Sequence, residues 1–236
     1  MKNGSNNITL RTLAVSVAMI TTVMATVITA PTASAQTAGT WMAKVGLNKI
    51  TPKVTSGDVS APALPGTKGD VGSDTKPIFV IDYMLTDNVS AELNLGVPYK
   101  HDLVGAGAIQ GTGKLGSAEV LPPTAFIQYR FFSPQSVFRP YVGAGLTYAY
   151  FQKETGSAQL TALLNTGGPG ASFKLDNKLA ASIQIGGTVA INERWFADAA
   201  LVKTFLKTKA RFSTGQTQDI TLNPLAFSVG VGYKFY

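Results

Sequence analysis

The chain contains no cysteine. A disulfide framework is therefore excluded, and so is every thiolate metal site or cysteine nucleophile. Histidine occurs once, at His101, too little for a multi-histidine zinc centre. Charged residues make up 14% of the chain and are scattered, so the net charge of +7 marks no basic tract suited to nucleic acid. Beyond the first 35 residues no apolar run approaches the roughly 18 residues of a membrane helix. A chain like this can enter a membrane only as a closed β-barrel.

The first residues differ from the rest. "MKNGSNNITLR" carries two positive charges and no acid, and a mostly apolar stretch from Leu13 to Ala30 follows. "PTASAQ" then sets Ala33 and Ala35 in the small-x-small pattern of signal peptidase, with Gln36 beginning the mature chain. The expected organisation is a cleaved signal over residues 1–35 and one domain over 36–236. Losing Lys2 and Arg11 lowers the net charge from +7 to +5.

Eight segments of the remainder alternate with period two, the signature of strands with one apolar face. In "TWMAKVGLNKI", Trp41, Ala43, Val45 and Leu47 oppose Met42, Lys44, Gly46 and Asn48. "KPIFVIDYML", "SAELNLGVP", "TAFIQYRFF", "RPYVGAGLTYAYF", "KLAASIQIGGTVAI" and "WFADAALVKTF" follow the same rule. The last segment, "FSVGVGYKFY", sets Phe227, Val229, Val231, Tyr233 and Phe235 on one face and Ser228, Gly230, Gly232 and Lys234 on the other. An exposed apolar face of this kind would promote aggregation in water, so lipid is its expected surroundings.

The connectors alternate in length. Turns at Thr86–Asn88, Ser133–Val137 and Asn192–Arg194 are short, whereas the intervening segments run much longer. Segments of about 9–12 residues, short turns at one end and long loops at the other describe a bacterial outer-membrane barrel. The predicted fold is an all-β, eight-stranded antiparallel transmembrane barrel with short periplasmic turns and long extracellular loops. Trp41, Tyr83, Tyr129, Tyr148, Trp195 and Tyr233 fall near segment ends, as aromatic girdles do. "AQLTALL" is a candidate helical turn or two within the third long loop.

The opposite parity should line the interior. Ile78, Val80, Met84, Phe126, Phe196 and Val202 are its apolar members; Asp82, Glu92, Asn94, Gln128, Arg130, Gln184 and Asp198 are polar. The charges are expected to pair inside the barrel, because an unpaired buried charge is costly. Eight strands enclose a space that side chains about fill, which excludes a wide aqueous pore. Pro98, Pro122 and Pro123 sit where two segments meet the outer side. Proline has no N–H for a ladder, so they either end the strands or leave a gap in the wall.

Five stretches carry a resemblance to a known family: "GTWMAKVGLNKITP", "LTDNVSAELNLGVPYKHDL", "LPPTAFIQYRFF", "FRPYVGAGLTYAYF" and "NPLAFSVGVGYKFY". They fall in order and resemble the outer membrane protein W (OmpW) family of eight-stranded porins, which includes alkane-uptake channels. Tyr236, one residue beyond the terminal aromatic Phe235, and the long glycine-rich second loop depart from the pattern. The resemblance implies an outer-membrane location and an upper pocket lined by the apolar residues above. It also implies a lateral exit at Pro98, Pro122 and Pro123, with His101 as a rim or gate residue. The implied function is uptake of small hydrophobic solutes. Expected partners are outer-membrane lipid, lipopolysaccharide and the barrel-assembly machinery, the last through the C-terminal strand, with no nucleic acid.

Three other readings fit parts of the sequence. A structural or surface-interaction barrel would use its loops and pass nothing. A soluble lipocalin-like barrel would turn its apolar parity inward. A lipid-modifying enzyme would need a nucleophile, base and orienting group, yet His101 and Asp102 are neighbours that point apart on a strand. No catalysis and no cofactor are expected.

Overall fold

A computed structural model describes residues 36–165 and 167–235, and those residues form a closed barrel. Its wall consists of β1 (Trp41–Thr51), β4 (Asp74–Met84), β5 (Val89–Gly96), β8 (Thr124–Arg130), β9 (Phe138–Gly156), β11 (Lys178–Ala190), β12 (Trp195–Phe205) and β15 (Leu225–Phe235). Each pairs antiparallel with its neighbours, and β15 closes the circle on β1. That final ladder runs unbroken from Trp41 opposite Phe235 to Thr51 opposite Leu225. Closure removes both sheet edges, so within the lipid belt the ladders satisfy the backbone of the wall strands without water, save for one interval between β5 and β8.

The outward parity carries Val45, Leu47, Phe79, Leu93, Ile127, Val142, Leu146, Ile183, Ile185, Leu201, Val229 and Val231, all exposed. Such a belt of exposed aliphatic residues is a lipid-facing surface. At the turn end aromatic pairs ring it: Trp41 with Tyr83 at 4.7 Å, Tyr129 with Phe131 at 5.1 Å and Trp195 with Tyr233 at 5.1 Å. Tyr148 and Tyr150 stand at the other end. The lipocalin alternative fails here, since the apolar parity faces out.

So small a barrel bends its wall sharply, and inward glycines make room. Gly46 and Gly230 are directly opposed, and a Cβ on Gly46 would lie 2.2 Å from the carbonyl oxygen of Val229. A side chain there would collide with backbone, so only glycine permits this approach.

One expectation needs correction. The long connectors are not open loops: they carry β2 (Thr55–Ser56), β3 (Thr67–Val71), β6 (Tyr99–Gly107), β7 (Lys114–Leu121), β10 (Phe173–Leu175), β13 (Lys207–Phe212) and β14 (Thr217–Thr221). β9 likewise continues to Gly156, well past the membrane segment. The glycine-rich second connector is the β6–β7 hairpin. Glycine and outward charges such as Lys100 and Asp102 blur its alternation, but inward Tyr99, His101, Ala118 and Val120 retain it. The barrel thus extends above the lipid belt around a second apolar core that includes Tyr99, Val120, Phe151, Leu206 and Ile220. "AQLTALL" forms a helix, Ala158–Leu164, capped by Ser157, whose hydroxyl accepts from the Leu160 amide.

Candidate functional site: a stacked apolar lumen above an ionic floor

Midway along the lumen, inward side chains from β1, β4, β5, β8, β9 and β12 meet in a layer of charge. Lys44 Nζ lies 2.7 Å from Glu92, 3.2 Å from Asp82 and 3.6 Å from Asp198. Arg130 donates to Asp82 at 3.0 Å, to Ser90 Oγ at 3.0 Å and to Gln128 at 2.8 Å, and its guanidinium lies 5.0 Å from the centre of the Tyr141 ring. The Tyr141 hydroxyl donates to Asp198 at 3.0 Å. Gln128 donates to Gln184, which donates to Glu92. Among the described residues, Asp82 Oδ2 is the one buried side-chain polar atom without a hydrogen bond; Lys44 holds it by charge alone.

This network plugs the barrel. Below it Arg139 donates to backbone oxygens of Gln36, Asp87 and Phe131, which seals the turn end. Gln36 is thus built into the floor; Ala33, Ala35 and the expected signal segment lie outside the described residues. The sequence identified Asp82, Glu92, Arg130 and Asp198 as pairing residues but missed Lys44, Tyr141 and Arg139. Lys44 was findable, since it shares the inward parity of Met42 and Asn48.

Above the floor lies a cavity of about 100 Å³. Ile78, Val80, Phe126 and Val202 are among the residues that wall it. The other two residues assigned to this lining are elsewhere: Met84 and Phe196 pack with Met42 in a small cluster of their own. Inward parity is shared along the whole strand, whereas depth is set by position on it, and these two sit near the turns. A second cavity of about 60 Å³ shares Ile50, Val120, Leu206 and Pro224 with the first. A third of about 40 Å³ shares Leu103 with the second and ends beneath Leu160, Leu163 and Leu164 of the helix. Together they form an interrupted apolar column from the outer cap down to the ionic floor.

The wall is broken beside the first cavity. β5 pairs with β8 as far as Asn94 opposite Thr124, and β6 pairs with β7 from Tyr99 opposite Val120. Between these points Leu95–Pro98 and residues 121–123 form no pair with each other, although Leu95 and Gly96 still pair with β4 and Leu121 with β9. Pro98, Pro122 and Pro123 all lie in this interval, where two prolines in succession withhold ladder donors. Leu95 and Pro122 line the cavity, and Leu95 is also exposed on the lipid side. The wall there is one side chain thick.

His101 stands apart from the three prolines. Its Nδ1 donates to the Gly72 carbonyl oxygen at 2.7 Å, and the ring lines the second cavity. Its outward neighbours Lys100 and Asp102 are exposed, which places this part of β6 beyond the lipid belt. Burial lowers its pKa from the ordinary value of 6.5.

Comparison with known proteins agrees with this architecture. The model of the OmpW family matches residues 37–235. Outer membrane protein W of Vibrio cholerae serotype O1 is 32% identical over 203 residues, covering 84% of this chain and 89% of that protein. Outer membrane protein AlkL of Ectopseudomonas oleovorans is 25% identical, covering 84% of this chain and 83% of its own. The crystal structure of OprG from Pseudomonas aeruginosa superposes with a TM-score of 0.77 at 27% identity, covering 86% of this chain and 99% of that one.

Proposed function

This chain belongs to the OmpW family of bacterial outer-membrane barrels, and from that premise we propose that it admits small hydrophobic molecules and releases them sideways into the membrane. The observation that carries the reading is the unpaired interval between Asn94–Thr124 and Tyr99–Val120, set against an apolar cavity. A solute descending the column meets Lys44, Glu92 and Asp198 at the bottom of that cavity, where desolvating the ionic layer would be costly. The wall at Leu95 and Pro122 is the apolar way out. The cavities are small beside typical ligand pockets of about 300–1,000 Å³, so passage requires side chains to move. No side chain in this route is assigned a chemical step. The sequence resemblance to alkane-uptake channels points the same way.

The test is uptake of a fluorescent hydrophobic solute by cells with and without the protein, beside a polar solute of similar size. Faster entry of the hydrophobic solute alone supports the channel. Equal rates, in cells shown to contain folded barrel, would leave a structural or surface-interaction barrel as the better reading.

A further inference from the structure

The outward stripe of β12 and β13 changes character above Phe205. Leu201 and Phe205 are exposed and apolar, with half-buried Lys203 between them bonded to the Asn223 carbonyl, and the next outward residues are Lys207, Lys209 and Arg211. Beside them Lys178 is exposed at the start of β11, next to exposed Leu179. Four cations therefore border one open groove just above the lipid belt, with Asp176 and Asp219 as its carboxylates. Arg211 forks onto Asp176 at 3.0 and 3.2 Å, and Lys209 pairs with Asp219 at 3.1 Å. Those pairs consume both acids. Lys178 and Lys207 are left, among the described residues, with no carboxylate in ion-pair range.

Height matters as much as charge. Lys207 follows Phe205 by two residues, about 7 Å along a strand and about 5 Å along the membrane normal for a tilt near 40°. The polar head-group layer is about 5–8 Å deep on each side of the hydrocarbon. Lys207 thus stands at the depth of lipid head groups, and Lys178, one residue above Leu179 and within electrostatic reach of Asp176, borders the same groove, with Leu179 and Phe205 below to meet acyl chains. The groove is also placed away from the break in the wall. Counting strands around the barrel, the interval between β5 and β8 lies opposite the β12–β15 boundary.

We propose that this groove binds the phosphates of the outer-leaflet glycolipid, with Lys178 and Lys207 as the principal contacts. A doubly phosphorylated, multiply acylated head group matches paired cations above an apolar wall better than a singly charged phospholipid does. Bound there, it would fix one side of the barrel in the leaflet and leave the opposite side free of its charge. This holds whether or not solutes cross the barrel.

The experiment uses the full mature barrel refolded in micelles, titrated with diphosphoryl lipid A, its dephosphorylated form and phosphatidylglycerol, with bound lipid counted by native mass spectrometry. The expected result is preferential binding of diphosphoryl lipid A. In a K178Q/K207Q double variant that binding should weaken about tenfold or more, as loss of two near-surface cations implies. A K100Q/K114Q control on the other side of the barrel should bind as the unmodified protein does. Heat-modifiable gel mobility verifies that each variant is folded. Undiminished binding by K178Q/K207Q, equal loss in the control, or equal binding of the dephosphorylated lipid or of phosphatidylglycerol would each overturn the proposal.

Discussion

The ammonium of Lys44 on β1 lies 2.7 Å from the carboxylate of Glu92 on β5, although β4 separates these strands in the wall. The contact spans β4 along the inner face of the wall, so it depends on the sharp curvature of a narrow barrel. K44M would leave Asp82, Glu92 and Asp198 buried around Arg130 alone. We expect destabilisation of about 3–5 kcal/mol, the usual consequence of removing one partner from a buried ionic cluster. Urea unfolding in lipid vesicles, followed by gel mobility, measures it; a loss below about 1 kcal/mol would mean the layer is not tightly coupled.

Gly232 faces the ring of Phe196 directly across the β12–β15 ladder, and an added Cβ would lie 2.2 Å from that ring. G232A should cost about 1–3 kcal/mol by overpacking. Shortening the opposing side chain should relieve it, so the G232A/F196L pair is expected to be non-additive in the favourable direction. Additive losses in the same unfolding assay would show that the two residues do not press on each other.

Ala226 lines the first cavity and projects from β15 into the lumen. Enlarging it to phenylalanine adds a volume comparable to the empty space of about 100 Å³. If solutes use this cavity, A226F should slow hydrophobic uptake several-fold with the number of folded barrels per cell unchanged. Unaltered uptake would move the route elsewhere.

His101 supplies a pH dependence outside the membrane. Burial disfavours its charged form, so the folded protein titrates below 6.5 while the unfolded chain titrates near that value. Below pH 6.5 the unfolded chain binds a proton that the folded outer sheet resists. The contribution of His101 is therefore fully present above 6.5 and falls as pH drops towards the lowered value. Protease cleavage of the β6–β7 hairpin should accelerate between pH 7.5 and 5, and H101Q should flatten that difference. The same acceleration in H101Q would assign the effect to another group.

Local periodicity alone established the faces of the wall. Side chains alternate on any extended strand, so the greasy parity of "FSVGVGYKFY" and of its seven counterparts identified the lipid belt without knowledge of pairing. The short turns and long connectors fixed orientation for the same local reason. Parity also separated Ile78, Val80, Phe126 and Val202 from the outer face, and the three prolines marked where ladder donors are missing. Tertiary structure decided what parity leaves open. How deep a residue sits depends on strand stagger, which sent Met84 and Phe196 to the turn end rather than the cavity. Which charges meet depends on strand pairing and wall curvature, which joined Lys44 to Asp82 on the adjacent β4 and to Glu92 and Asp198 on strands two places away to either side. That the connectors carry paired strands depends in part on partners far away in sequence, such as Ser56 opposite Ile220, which so short a segment does not announce, while the β6–β7 hairpin kept only the inward half of its alternation.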